Sequence, residues 1–441
     1  MSFIYNILFA VILAIGGGYF AINVKKLVRN IKLGRDVNRT DNAPARWKNM
    51  AMIALGQTKM IKRPIPAFLH FIVYVGFIII NIEVIEIVID GLFGTHRVLS
   101  FMGPVYDFLI GSFEILAVLV LVAVIIFWIR RNVIKLKRFM NPEMKGWPKS
   151  DANYILYFEV VLMSLFLLMN AADLHLQAVG HGHYNQVGSF PISQFIAPMF
   201  NGMNAGVVVI VERAAWWLHI TGILVFLNYL YFSKHLHILL AFPNTYFADL
   251  NPLGELDNLE SVTNEVKLMM DPSADPFAAP TNPEEVPAKF GASDVQDLNW
   301  VQLLNAYSCT ECGRCTSSCP ANQTGKKLSP RKIMMDTRDR LEEVGKNIDL
   351  NKGVFVDDGK SLLNDYITSE ELWACTTCNA CVEECPINIS PLSIIMDMRR
   401  YLVMEQSAAP TELNNMMTNI ENNGAPWQYN QMDRLNWANE D

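Results

Sequence analysis

Five stretches of the chain are long, apolar and almost free of charge: residues 3–24, 67–89, 105–129, 154–176 and 207–240. Crossing a hydrocarbon core as a helix takes about 20 mostly apolar residues. Each stretch therefore predicts a transmembrane helix, and the fifth is long enough to continue beyond the bilayer. The apolar patch 190–200 is short and broken by prolines, and reads as an interfacial or re-entrant loop. After residue 250 the apolar runs stop. Residues 250–295 gain Pro, Asp, Glu and Asn, a composition that cannot bury a core and predicts an extended tether. Helical pattern returns at Ser329-Pro330 and at Ser390-Pro391, where Ser caps and Pro takes the first helical position. The second of these helices carries Ile394, Ile395, Met398 and Leu402 as a buried stripe. The expected fold is all-α: a membrane bundle of five transmembrane helices over 1–245, an extended acidic, Pro-rich linker over 246–295, and a mainly α-helical domain over 296–441.

Charge divides the chain at the same place. Up to residue 250 there are 21 Lys and Arg against 13 Asp and Glu; beyond it there are 15 against 30. The basic residues fall in two loops, eleven over 25–64 and seven over 130–149, whereas 91–103 carries only Arg97 and 177–206 none. That asymmetry is a positive-inside signal. The first apolar run lacks a basic segment before it and has Lys25, Lys26 and Arg29 after it, as an uncleaved anchor does. A multi-pass protein of the inner membrane is expected, with the N-terminus outside and the C-terminal half cytoplasmic. A single soluble globule is excluded. Nucleic-acid binding is disfavoured, because the positive charge flanks apolar spans and forms no folded basic face.

All eight cysteines lie in the acidic half, in two runs of one spacing: Cys309-x2-Cys312-x2-Cys315-x3-Cys319-Pro320 and Cys375-x2-Cys378-x2-Cys381-x3-Cys385-Pro386. Three thiolates from a tight loop and a fourth from further away is the ligand pattern of a [4Fe–4S] cube, and in two-cluster ferredoxins the fourth cysteine serves the other cube. The expected ligand sets are Cys309, Cys312, Cys315 and Cys385 for one cluster, and Cys375, Cys378, Cys381 and Cys319 for the other. Zinc would strand the third cysteine of each run.

Ionisable side chains within spans are costly and point to function. Neutral imidazole is an axial ligand for haem iron. His70 lies near the start of the second span, His219 within the fifth, and His235 and His237 at its end. On one continuous helix His219 and His237, 18 residues apart, share a face about 27 Å apart along the axis, and His235 points away. The expectation is a b-type haem between His70 and His237. A second haem at His219 would take His175 as partner, with His96, His181 and His183 behind it. Each histidine could instead be a hydrogen-bonded core residue. Glu83, Glu86 and Asp90 recur on one face of the second span; Glu83 and Glu86 are candidates for a quinone or proton site, and pairing with Arg97 or Arg213 is the structural alternative.

The twin cysteine runs, the five-span layout, Ser233-Lys234-His235-Leu236-His237 followed by Pro243-Asn244, and the tail Asn422-Asn423-Gly424-Ala425-Pro426-Trp427 with Arg434 and Trp437 resemble the heterodisulfide-reductase-related membrane electron-transfer subunits. In that family a nitrate-reductase-gamma-like cytochrome b is fused or partnered to a two-cluster ferredoxin-like subunit. The resemblance implies exchange of electrons with membrane quinone, menaquinone in the first place, and a cytoplasmic oxidoreductase partner carrying cysteine-rich CCG motifs. It departs from the family in offering one histidine in the second span where two are usual, and in lacking the cysteine-rich catalytic domain. Two other functions stay open: a haem-free membrane anchor with an iron–sulfur relay for a soluble dehydrogenase, and a redox-sensing scaffold without turnover.

Overall fold

The computed structural model describes residues 3–273 and 289–439. Five helices are long and apolar enough to cross a membrane: α1 (Phe3–Ile31), α2 (Pro64–Phe93), α3 (Pro104–Asn132), α4 (Trp147–Ala178) and α5 (Ala205–Leu230). Their apolar runs set where they lie, and local chemistry sets where they stop. Pro64 and Pro104 occupy first turns, where the missing N–H costs nothing. Gly94 ends α2 with φ 72, a conformation that carries no penalty in glycine. Asn204 caps α5 by accepting from the Gly206 N–H at 2.8 Å. The bundle closes on a core that includes Phe9, Ile110, Phe166 and Ile220. α1 stands at its rim, with Ile4, Val11, Ile15 and Ile22 exposed, as suits a helix facing lipid.

The fifth span is shorter than the sequence pattern predicts. α5 stops at Leu230, and the chain turns through Tyr231–Ser233 before a 3-10 turn (Lys234–Leu236) and a separate helix, α6 (His237–Tyr246). Ser233 makes the break: its hydroxyl accepts from the His235 N–H at 3.1 Å and holds the backbone extended. His219 and His237 are therefore not on one helix, and the five-turn argument that paired them does not apply. The patch 190–200 forms two short turns, Ser193–Ile196 and Ala197–Phe200, which pack against the far end of α4.

Within the expected tether, Glu260–Met270 is a helix, and Ala292 and Val295 are buried in the core of the C-terminal domain. Residues 274–288 of that segment lie outside the described residues. The C-terminal domain gathers α7 (Trp300–Ser308), α8 (Pro330–Leu350) and α9 (Pro391–Met404) around one apolar core, with the cysteine runs in short turns between them. Ser329 and Ser390 cap α8 and α9 with Pro next. Ile394, Ile395, Met398 and Leu402 are all buried. Among the described residues there is no β-strand, only isolated bridges.

The C-terminal domain is packed onto the loops at one end of the bundle. Its core takes in Leu27 of α1 and Leu236 of the 3-10 turn. Arg35 donates its N–H to Leu298 O at 2.8 Å and accepts from Trp300 N–H at 3.0 Å, a short bridge between the post-α1 loop and the start of α7. The basic loops are thus more than topology signals. Lys26 and Arg29 pair with Asp349, Lys62 with Glu383, Arg63 with Glu384. Glu143 pairs with the fully buried Arg331 at 2.7 Å.

Candidate metal centres

The two cysteine runs face each other through the turns that carry them. Each first turn is forced tight by a left-handed residue, Glu311 and Gly313 in one run, Thr377 and Asn379 in the other. The thiols acting on Cys315 are, in falling order, Cys312, Cys309, Cys385 and Cys381. Those acting on Cys381 are Cys375, Cys319 and Cys378. Cys385 feels Cys312, and Cys375 feels Cys319 and Cys378. The fourth cysteine of each run therefore lies near the first three of the other, and the groups approach each other at Cys315 and Cys381. One cavity is lined by Cys309, Cys312, Cys315, Cys385 and, from the other group, Cys381.

The donor chemistry fits cubes. Burial pushes the Cys309 thiol up to about 12, Cys381 to about 12 and Cys385 to about 11. Such thiols are protonated at neutral pH, and metal binding must displace those protons. Backbone N–H groups already point at sulfur: Thr377 N–H at 3.4 Å from Cys375 Sγ and Ile389 N–H at 3.3 Å from Cys385 Sγ. Among the described residues, no three His, Cys, Asp or Glu side chains converge on the site of a single ion. A cube spreads its thiolates over separate iron corners and needs no such convergence.

Residues 308–389 match the family model described as a 4Fe-4S dicluster domain. These residues are a 4Fe-4S dicluster domain. The chain is 31% identical to the probable iron–sulfur-binding oxidoreductase FadF of Bacillus subtilis, over 98% of this chain and 61% of that protein. It is 27% identical to the EtfAB:quinone oxidoreductase of Syntrophomonas wolfei, over 92% of this chain and 55% of that protein. A shorter match, 29% identical over 35% of this chain and 37% of the other, is to one of the subunits of the dihydromethanophenazine:CoB–CoM heterodisulfide reductase of Methanosarcina mazei. The chain thus spans a little over half the length of the first two relatives. No solved structure matches it. Its homologues are iron–sulfur oxidoreductases and heterodisulfide reductase subunits, and the chain is a multi-pass membrane protein with a 4Fe-4S dicluster region.

The histidines are placed unequally. His70, from α2, and His237, the first residue of α6, have ring centroids 6.4 Å apart. Two imidazoles bound to one metal from opposite sides, each at about 2 Å, stand at about that separation. The outer nitrogens are held: Gln57 Oε1 lies 3.1 Å from His70 Nδ1, and the Lys234 carbonyl 3.2 Å from His237 Nδ1. Each contact leaves Nε2 as the donor for a metal, the arrangement ligating histidines usually have. His235 stands beside His237 at 5.7 Å, with Nδ1 3.3 Å from the Ser233 hydroxyl. His219 has Nδ1 3.0 Å from the Leu162 carbonyl and its ring beside Phe166. His175 lies against Phe200, and His96 meets His183. The structure does not bring His175 and His219 together.

The acids of α2 divide as well. Glu86 accepts from Leu99 N–H at 2.9 Å and from Tyr106 OH at 3.0 Å. Asp90 accepts from the N–H groups of Arg97 and Val98. Arg97 reaches Asp173 and Asn170. Glu83 is 3% exposed, lines a cavity of about 30 Å³ with Glu86, His96, Arg97 and Asp173, and its Oε2 has no hydrogen-bond partner.

Several residues at the junction escape sequence reasoning. Glu311, inside the first cysteine run, pairs with Lys234 and, at 2.8 Å, with Arg338. Lys234 also reaches Asp151 at 3.8 Å. Asn244 donates to Ile387 O at 2.6 Å, just past Cys385-Pro386, and accepts from Asn305 at 3.0 Å. A Glu within a Cys-x2-Cys loop was a visible signal. Gln57 gave none.

Proposed function

We propose that the chain is a membrane-bound electron-transfer subunit that relays electrons between the quinone pool, a b-type haem, two [4Fe–4S] clusters and a cytoplasmic oxidoreductase partner of the CCG type. The observation that carries this reading is the junction itself. His70 and His237 oppose each other beside the loop of Gln57 and Lys59, and Arg314, inside the first cysteine run, donates to the Lys59 carbonyl at 3.4 Å. When bound, the haem and the clusters supply one-electron chemistry; the protein's part is placement, ligation and exclusion of water.

In this reading His70 and His237 hold the haem. Cys309, Cys312, Cys315 and Cys385 hold the membrane-facing cluster. Cys375, Cys378, Cys381 and Cys319 hold the outward one. Cys378 is exposed with Thr376 and Thr377, which gives the partner a point of approach. Glu83, about 20 Å along α2 from His70, accepts a proton at the far end, and Glu86 shapes the loop above it. His219 keeps a free Nε2, but no second imidazole packs against it among the described residues, so one haem suffices.

In this reading the C-terminal domain is cytoplasmic and the N-terminus outside, and the basic loops support that orientation. The domains are 1–245, the linking segment 246–295, and 296–441. The relatives named as a quinone oxidoreductase and as heterodisulfide reductase subunits support quinone exchange and an oxidoreductase partner. The test is anaerobic purification of the full chain in detergent. A reduced b-type absorption band, two clusters per chain and reduction of both by a menaquinol analogue are expected. Two clusters without the band would leave a haem-free anchor, and the haem reading would be lost.

A further inference from the structure

The two thiol groups differ in the cations around them. Lys59 and Arg138, from the loops that join the spans, and Arg314, inside the first run, act on Cys312 or Cys385. Lys59 is fixed there: its ammonium donates to Val382 O at 3.2 Å and to Asn388 Oδ1 at 3.0 Å, one residue past Cys381 and three past Cys385. The Arg138 carbonyl is held by Arg331 at 2.7 Å, which seats that loop over Gly313. The second group has one cation on Cys375, Arg399, which stacks on Trp373 at 4.9 Å and donates to the Leu372 and Cys375 carbonyls. Nearby acids do not even the balance. Glu311 is matched by Lys234 and Arg338, Glu383 by Lys62 and Glu384 by Arg63.

Reducing a cluster adds negative charge, and a fixed cation nearby stabilises the reduced form. Lys59, Arg138 and Arg314, with Arg338 acting on Cys309, outnumber the single Arg399 and shift the first cluster toward reduction. We propose that Lys59 and Arg138 of the membrane loops hold the reduction potential of the cluster bound by Cys309, Cys312, Cys315 and Cys385 above that of its neighbour, so that an electron rests on the membrane-facing cluster until a partner draws it outward. This rests on the cluster assignment above. Lys59 and Arg138 touch no ligand sulfur and act as positioning residues, through charge.

The test is an anaerobic redox titration of the full-length protein, followed by electron paramagnetic resonance, with Cys385→Ser identifying the first cluster's signal. In the unaltered protein the first cluster should titrate at the higher potential. Lys59→Gln should shift its reduction equilibrium roughly tenfold toward oxidation, 59 mV for a one-electron couple, and leave the second cluster unmoved. Lys59→Arg should restore the value, and Arg399→Gln should lower only the second. Arg138→Gln, in a different loop, gives the same reading should Lys59→Gln fail to assemble. Unshifted potentials in fully loaded Lys59→Gln and Arg138→Gln, or a first cluster titrating below the second, overturn the proposal. A preparation with fewer than two clusters instead overturns the assignment beneath it, which iron content shows before any potential is read.

Discussion

The imidazoles of His70 and His237 face each other 6.4 Å apart, although α2 and α6 are separated by three other membrane helices in the chain. With Gln57 and the Lys234 carbonyl on the two Nδ1 atoms, the Nε2 atoms are the pair left for the proposed haem. His70→Ala and His237→Ala should each abolish the reduced b-type band while iron and sulfide stay at two clusters per chain. His235→Ala should keep the band. A band that survives loss of His70 would rule out this ligand pair.

The crossed cysteines give a second test. Cys385→Ser should remove the cluster whose other ligands are Cys309, Cys312 and Cys315, and Cys319→Ser the other one. Each variant should hold about half the iron and one spectroscopic signal. If Cys385→Ser removes the signal that Cys375→Ser also removes, the ligands are not exchanged between runs.

Buried and exposed ion pairs at the domain junction should differ in weight. Glu311 is buried, and burial alone would raise its carboxyl; Lys234 and Arg338 more than offset this and hold it below the usual range. Its stabilising contribution is therefore present above the ordinary glutamate value of about 4.3 and is lost as pH falls through the lower folded value. Glu311→Gln leaves the buried Lys234 only the more distant Asp151 and the partly buried Arg338 only Asp339, and should cost about 3–5 kcal/mol. Glu383→Gln, which breaks a half-exposed pair with Lys62, should cost about 0.2–1 kcal/mol. Denaturation followed by loss of visible absorbance measures both at neutral pH, and equal effects would contradict the burial argument.

Gly34 tests the bridge between the post-α1 loop and α7. A Cβ there would lie 2.7 Å from Trp300 N and 2.8 Å from Leu298 O, both backbone atoms that cannot swing aside. Gly34→Ala should cost about 1–3 kcal/mol and strip hydrogen-exchange protection from the Arg35 and Trp300 amides. Retained protection would mean the loop is not seated as described.

Much of this architecture was legible in the sequence, for reasons that differ by element. The spans were readable because hydrocarbon demands length and apolarity, and nothing else in the chain meets both. The cysteine runs were readable because cluster ligation fixes spacing. His237 was chosen by a helical-register argument whose premise fails, since Ser233 breaks the helix; a hydroxyl that caps a turn and one on a helix surface look alike in sequence. The docking role of Lys59, Arg63 and Glu143 was hidden because their partners lie more than 180 residues away. Glu86 and Asp90 looked equivalent to Glu83, and the loop 95–99, folded back over them, together with Tyr106 of α3 separates bonded carboxylates from the one with an unpartnered oxygen.

The bridge between Arg35 and Asn299 also orders events during synthesis. Every loop that receives the C-terminal domain precedes it in the chain, and the two sides of that bridge are 264 positions apart. At about 5–20 residues per second, the ribosome needs roughly 13–50 s to pass from one to the other. The receiving loops are therefore synthesised before the first cysteine run emerges. Each acidic side chain of the domain that pairs across the junction is thus made after the cation it meets.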